Sequence, residues 1–254
     1  MNLRDVFPIL REIKLGPDMK VLYCSDYDEM SQLSCDKIVS DLKMNPKKLM
    51  CTATGNSPIG LYGNLANVYK KEPEISSQLS IVKLDEWGGI NLKEPNSCET
   101  FIREKILWPL NVSEENYISF FSNPISPKKE CERIQIELQK KGPIDICILG
   151  LGQNGHIGFN EPADELLPRC HIGNLSKETL EHQMINTLEN KPIYGFTLGM
   201  ADILQSKKII LLITGANKKE VIQKLLSKKI TTYLPASFLW LHDQVECFVD
   251  KNAM

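Results

Sequence analysis

The sequence predicts an α/β fold with a mostly parallel central sheet that is covered by helices on both faces. Several runs of four to eight mainly apolar residues end in glycine or polar turn residues, a pattern typical of strands buried on both faces. Amphipathic segments separate these runs, and alternation of strand and helix favours parallel pairing. The length of 254 residues and the hydrophobic fraction of 42% are sufficient for one large domain, which we expect to span residues 1–254.

Each predicted element follows from its own local pattern. The six predicted strands are Met19–Tyr23, Lys48–Ala53, Leu79–Leu84, Ile144–Leu149, Lys208–Ile213 and Gln244–Val249. Helices are predicted after a Ser25 cap, after a Ser57–Pro58 cap towards Tyr69, over Lys128–Lys141 with Gly142 as its stop, over Lys218–Leu226, and briefly from Pro235.

Composition excludes several classes of protein. The net charge of −2 and the pI near 6.1 show no basic excess, so we expect neither a nucleic-acid partner nor binding to an anionic membrane. No apolar run approaches the roughly 18 residues of a membrane span, and Met1–Leu15 lacks the pattern of a signal peptide. The eight cysteines form no C-x-x-C pair, which is typical of reduced, buried thiols in a cytoplasmic protein. Assembly of the chain into a homo-oligomer is compatible with this composition.

Four polar or glycine-rich segments follow predicted strands directly. They are Thr54–Ser57, Asp85–Gly89, Gly150–Glu161 and Thr214–Lys218. In an open parallel sheet, ligands bind outside the carboxyl ends of the strands, so all four segments can converge on one crevice.

Two of these segments are candidates for binding an anion. Thr54, Gly55, Asn56 and Ser57 join a strand to a helix, where backbone N–H groups and the positive end of the helix favour a phosphate. Lys218 lies at a helix start, where its charge opposes the helix dipole unless an anion lies between them. The alternatives are a plain strand–helix turn and an ordinary solvated lysine.

The other two segments are candidates for acid–base chemistry. A carboxylate such as Asp85, held beside apolar walls, has a raised pKa that suits a general base, although it could instead cap a turn. His156 lies in a glycine-rich loop, and Glu161, five residues further on, could orient the imidazole. That loop formally matches G-x-G-x-x-G, but Gly158 and Pro162 disfavour the helix that a dinucleotide site needs. The histidines lack the spacing of a ligand set, so no metal site is predicted.

Five stretches resemble the glucosamine-6-phosphate deaminase/isomerase family along almost the whole chain. They are ATGNSPIGLY, VKLDEWGGI, ILGLGQNGHIGFNEP, GFTLGMADIL and LLITGANKK. The third residue of Asp85-Glu86-Trp87, the run Cys98–Phe101 and the segment Leu234–His242 are closer to the galactosamine-6-phosphate branch. The broader family also includes 6-phosphogluconolactonases and the sensor domains of some repressors.

The resemblance implies a Rossmann-like three-layer α/β/α fold and a reaction that needs neither metal nor cofactor. It implies that Asp85 moves a proton from C2 to C1 of the opened amino sugar, and that His156 opens the ring with Glu161 orienting it. Residues 54–57 and Lys218 match phosphate contacts.

The sequence also departs from the family pattern. Asn154 stands where many deaminases have aspartate; it can still hold His156 by a hydrogen bond. The arginine that glucosamine enzymes carry after the histidine loop has no counterpart in Thr179–Gln183. Two alternatives remain open. A sugar lactone hydrolase would not need a base at C2, and a sugar-phosphate sensor would need a DNA-binding domain before the sheet.

Overall fold

The computed structural model describes residues 19–254 except 92, 96, 181–184, 186–187 and 189–190. The prediction for Met1–Leu15 lies outside the described residues. The strands are β1 Lys20–Cys24, β2 Leu49–Thr52, β3 Ser80–Lys83, β4 Asp85–Gly88, β5 Tyr117–Ile118, β6 Ile146–Gly150, β7 His171–Gly173, β8 Tyr194–Thr197, β9 Lys208–Ile213 and β10 Val245–Asp250. The α-helices are α1 Tyr27–Met44, α2 Ile59–Tyr69, α3 Cys98–Ile102, α4 Pro127–Lys141, α5 Lys177–Leu180, α6 Met200–Leu204 and α7 Lys219–Leu226.

The central sheet has seven strands in the order β1-β10-β9-β6-β2-β3-β5, and every neighbouring pair is parallel. The six strands predicted from the sequence are confirmed, each to within two residues of its expected ends. The remaining strand, β5, has two residues and leaves too short a pattern for the sequence to reveal. The predicted α/β fold with a mostly parallel sheet is therefore confirmed.

Both faces of the sheet are apolar, because the central strands consist mainly of hydrophobic residues and successive side chains of a strand point to opposite sides. In β9, Ile209 and Leu211 belong to one core cluster, which α4 and α7 cover. Ile210 and Leu212 belong to the other core cluster, which α1 and α2 cover. All eight cysteines are buried and free of disulfides, as their scattered positions predict.

A second, antiparallel sheet of three strands has the order β4-β8-β7. One residue, Leu84, separates β3 from β4, and its carbonyl accepts a hydrogen bond from the N–H of Leu198 (2.9 Å). The sequence interpretation of Asp85–Gly89 as a turn is therefore wrong for its first four residues. The chain leaves the parallel sheet at Leu84 and pairs at once with β8.

The predicted helices are present, the short one from Pro235 as a 3₁₀ helix over Pro235–Leu241, and two helix starts differ from expectation. Asp26, not Ser25, caps α1, because its carboxylate accepts the N–H of Glu29 at 2.8 Å. The Ser57 cap is also wrong: α2 begins after Pro58 with no side-chain cap. The Ser57 side chain is thereby left outside the helix. As Gly158 and Pro162 predicted, no helix follows the glycine-rich loop.

The order of strands fixes where a ligand can bind. From β2 the chain proceeds to β3 and β5 on one side, then returns to β6 on the other side of β2. The connections that leave β2 and β6 therefore run in opposite directions, and the carboxyl ends of these two strands form a topological switch point. Each helix in the described part of the chain is too short or too polar to span a bilayer.

Candidate active site

A cavity of about 960 Å³ lies at this switch point. Its wall includes residues from all four segments that the sequence singled out. Among them are Thr54, Gly55, Asn56, Ser57, Asp85, Gly152, His156, Thr214 and Lys218. The volume is within the range of small-molecule sites, and the lining combines apolar walls with a few convergent polar groups. The predicted convergence of the four segments is confirmed.

One end of the cavity is suited to an anion. The Lys218 ammonium is mostly buried and donates to the carbonyl of Leu151, and burial lowers its pKa to about 8. The side chain thus stays mostly protonated at neutral pH, with little water around it. Ser57 faces the same space, since its hydroxyl lies 3.6 Å from where a side chain at Gly150 would begin. The loop of residues 54–57 leads into α2, and the positive end of a helix favours an anion. The N–H of Gly60 in the first turn of α2 donates to the hydroxyl of Tyr27 (2.8 Å).

The Asp85 carboxyl group forms part of the cavity wall and is only 6% exposed. Its Oδ1 atom has no hydrogen-bond partner among the described residues. Burial, and then the charge of Glu86, raise the pKa of Asp85 to about 7, although Lys83 opposes them. A carboxyl group that lines a cavity and is half ionised at neutral pH is suited to accept a proton from a substrate carbon.

His156 and Glu161 form a second polar group on the opposite loop. The imidazole Nδ1 lies 3.4 Å from Glu161 Oε2, at ion-pair distance but outside hydrogen-bond geometry. Burial acts to raise the pKa of Glu161, but its contacts with His156, Thr179 and Asn154 outweigh burial and lower it to about 2. Glu161 is therefore an anion at any physiological pH, and it faces Nδ1 of His156 across 3.4 Å.

Asn154 holds this loop by both ends of its amide. Its Oδ1 accepts the backbone N–H of His156 at 3.1 Å, and its Nδ2 donates to Glu161 Oε2 at 2.9 Å. The expected hydrogen bond to His156 therefore reaches the backbone instead of the ring. In the stretch Thr179–Gln183, which lacks the arginine of the glucosamine enzymes, residues 181–183 lie outside the described residues. Thr179 itself lines the cavity and donates to Glu161 Oε1.

Two glycines allow close packing of this loop against the His156 ring and against Asp85. A methyl group at Gly152 would lie 2.5 Å from the His156 ring, so the imidazole packs directly over this position. Gly158 has a φ of +57°, and a Cβ there would lie 2.7 Å from Thr197 Oγ1 and 3.5 Å from Asp85 Oδ2. Glycine at 158 therefore allows the histidine loop to contact the strand pair that carries Asp85.

Sequence reasoning missed two parts of the wall. Trp87 and Phe159 pack with ring centroids 4.5 Å apart, and both rings line the cavity. The second part is Thr179, whose stretch of sequence indicates only that an arginine is missing there. The Trp87 and Phe159 positions stand 72 residues apart in the chain, so no local spacing signal could reveal their contact. Among the described residues, no group of three or more metal-ligating side chains is present.

Residues 27–248 match the model of the family described as glucosamine-6-phosphate isomerases/6-phosphogluconolactonase. The chain belongs to this family. It is 39% identical over 225 residues to the protein named "Putative deaminase AgaI" of Escherichia coli (strain K12), with 89% of each chain covered. It is 34% identical to the glucosamine-6-phosphate deaminase of Thermoanaerobacter sp. (strain X514), over 92% of this chain and 94% of that protein.

Solved structures of a deaminase and of a lactonase both match this chain. A monomeric glucosamine-6-phosphate deaminase of the NagB superfamily superposes with a TM-score of 0.87 at 32% identity, covering 92% of this chain and 98% of that chain. The 6-phosphogluconolactonase of Trypanosoma brucei gives a TM-score of 0.70 at 20% identity, covering 92% and 97%. The lactonase shares the fold of this chain, whereas the deaminase shares its sequence pattern as well.

Proposed function

We propose that the protein is an amino-sugar-phosphate isomerase/deaminase that converts galactosamine 6-phosphate, or glucosamine 6-phosphate, to the ketose 6-phosphate and ammonia. The observation that carries this proposal is the buried Asp85 carboxyl group. Its Oδ1 has no hydrogen-bond partner among the residues that the structure describes, its pKa is raised to about 7, and His156 and Lys218 line the same cavity. Two acid–base groups and a cation around one cavity supply what such a reaction needs.

The phosphate binds first in this scheme, at Lys218 and the loop of residues 54–57. Binding this remote group fixes the reacting carbons in place, so the later proton transfers become effectively unimolecular. His156 then opens the pyranose ring by moving a proton at the ring oxygen. Glu161 keeps the imidazole in one orientation, as their 3.4 Å separation supports.

Asp85 carries out the isomerisation. It takes the proton from C2 of the open-chain sugar and returns it at C1, which leaves an imine at C2. Water adds to the imine, ammonia leaves, and the ketose phosphate remains. One short carboxylate can reach both adjacent carbons, and a pKa near the working pH lets it accept and return the proton with little loss. Lactone hydrolysis requires no proton transfer at C2 and gives such a base no role.

The galacto configuration is proposed from features of the sequence around the cavity. Trp87 occupies the position where glucosamine enzymes usually have tyrosine, and it forms an apolar wall with Phe159. The run Cys98–Phe101 lies in α3, and the N–H of Cys98 donates to Glu86 Oε1 in β4 (3.2 Å). These features support the galactosamine branch of the family.

Ammonia release from separate incubations with galactosamine 6-phosphate and glucosamine 6-phosphate tests the proposal. A parallel assay follows hydrolysis of 6-phosphogluconolactone. We expect ammonia from galactosamine 6-phosphate at the higher rate, and a loss of roughly 100-fold or more in Asp85→Asn, the usual contribution of a general base. Asp243→Asn, a change at an exposed aspartate, serves as the control. Lactone hydrolysis without ammonia release would reject the proposal in favour of the lactonase.

A further inference from the structure

A lysine with no solvent exposure lies two residues before Asp85. Lys83 is the last residue of β3, and its ammonium contacts Glu86 Oε2 and Glu99 Oε2, each at 2.5 Å. Lysine is almost never fully buried unless its charge is paired. We call these three side chains, Lys83, Glu86 and Glu99, the Lys83 triad.

Every carboxylate oxygen of the Lys83 triad has a donor. Glu86 Oε1 accepts the N–H groups of Trp87 (2.8 Å) and Cys98 (3.2 Å). Glu99 Oε1 accepts Arg103 Nε (2.8 Å), and its Oε2 accepts the hydroxyl of Tyr117 (3.0 Å) as well as Lys83. The Lys83 triad is thus a satisfied, rigid group of charges. In the adjacent Asp85, by contrast, Oδ1 has no hydrogen-bond partner within the part of the chain that the structure describes.

The groups around Asp85 come from several elements. Lys83 and Glu86 carry formal charges beside it on its own chain segment. Cys51 from β2, Tyr62 from α2 and Cys98 from α3 also face it, and burial raises the pKa of each well above its ordinary value, so all three are neutral. His156 and Lys218 line the same cavity.

We propose that Lys83 is a positioning residue for the reaction: the Lys83 triad supplies the counter-charge that lets Asp85 ionise beside the buried carboxylate of Glu86. This inference rests on the proposed function and deepens it. Two adjacent carboxylates buried without a cation cannot both ionise near neutral pH. Glu99, held by Arg103 and Tyr117, contacts the same ammonium, and its negative charge offsets part of the field of Lys83 at Asp85. A purely structural lysine would stabilise the fold and leave the ionisation of Asp85 unchanged.

Two variants are expected to shift the acidic limb of the pH profile of kcat/KM in opposite directions. Glu99→Gln removes one negative charge and leaves Lys83 paired with Glu86, so the limb moves to lower pH. Lys83→Met removes the cation. Glu86 keeps two N–H donors and ionises first, so Asp85 ionises later and the limb moves to higher pH by about one unit. Glu114→Gln is the matched control, because Glu114 is exposed and binds the outer side of Arg103.

A second measurement needs no turnover. Carboxyl ¹³C NMR titration gives the pKa of Asp85 directly, with the signal assigned by its loss in Asp85→Asn, and circular dichroism confirms that each variant is folded. If Lys83→Met does not fold, Glu99→Gln decides the question. An unchanged pKa of Asp85 in Glu99→Gln, or a shift upward, overturns the proposal. If the wild type releases no ammonia, the proposed function fails on its own, and the NMR shifts still decide the role of Lys83.

Discussion

Replacing Asp85 by asparagine is expected to stabilise the folded protein at neutral and alkaline pH while removing its activity. Burial, and secondarily Glu86, raise the pKa of Asp85 from 3.8 to about 7. The folded state therefore binds this proton more tightly than the unfolded state does. Stability from the neutral carboxyl group is fully present below pH 3.8 and is lost as pH rises through about 7. Asparagine has no charge and does not undergo this loss.

The size of the effect follows from the two pKa values. A difference from 3.8 to about 7, at about 1.4 kcal/mol for each pH unit, gives about 4 kcal/mol at pH 8. By pH 5 the unfolded carboxyl group is already largely ionised, so part of the loss has occurred. Between pH 5 and pH 8, the free energy of unfolding of Asp85→Asn relative to wild type should therefore increase by about 2.5 kcal/mol.

Urea unfolding followed by circular dichroism at pH 5, 6, 7 and 8 measures this difference. Titrating groups that do not interact with Asp85 cancel when the two proteins are compared at each pH. Asp243→Asn, at an exposed position, should give a difference from wild type that does not change with pH. A pH-independent difference for Asp85→Asn would refute the reasoning, because it would mean that Asp85 titrates alike in the folded and unfolded states.

Three further predictions concern activity. Below about pH 7, kcat/KM should fall about tenfold for each pH unit, because the proposed general base, Asp85, must be ionised and its pKa is raised to about 7. A kcat/KM that stays constant down to pH 5 would contradict this. In steady-state kinetics, Lys218→Met should raise KM about 10- to 100-fold and change kcat less, because the proposed charge-assisted contact with the phosphate is removed. Lys219→Met, at the exposed neighbouring position, should alter neither constant. Gly152→Ala should lower kcat about 100-fold, because the new methyl group would lie 2.5 Å from the His156 ring and displace it. In the control Gly63→Ala, no described atom outside the helix lies within 4 Å of the new methyl group, so kcat should stay unchanged. Equal kcat values for the two variants would show that the position of the ring is unimportant.

The sequence by itself determined the parallel sheet and the location of the site. Strands such as Lys208–Ile213 are continuous apolar runs, because both faces of a parallel sheet are buried, and this pattern is local. The polar segments after these strands could be assigned to one crevice, since carboxyl ends of parallel strands share an edge. His156, Glu161 and Asp85 could be selected for the same reason, and their assigned roles in catalysis stay predictions.

Only the tertiary structure decided the second sheet and the buried Lys83 triad next to Asp85. β4 is a strand because β8, more than 100 residues later, pairs with it, and no pattern within Asp85–Gly88 encodes that partner. Lys83 reads in sequence as an ordinary polar residue at a strand end. It becomes a buried cation because Glu86 and Glu99 close around it. Periodicity reports which face of an element is buried, whereas the distance between charges depends on how distant elements pack.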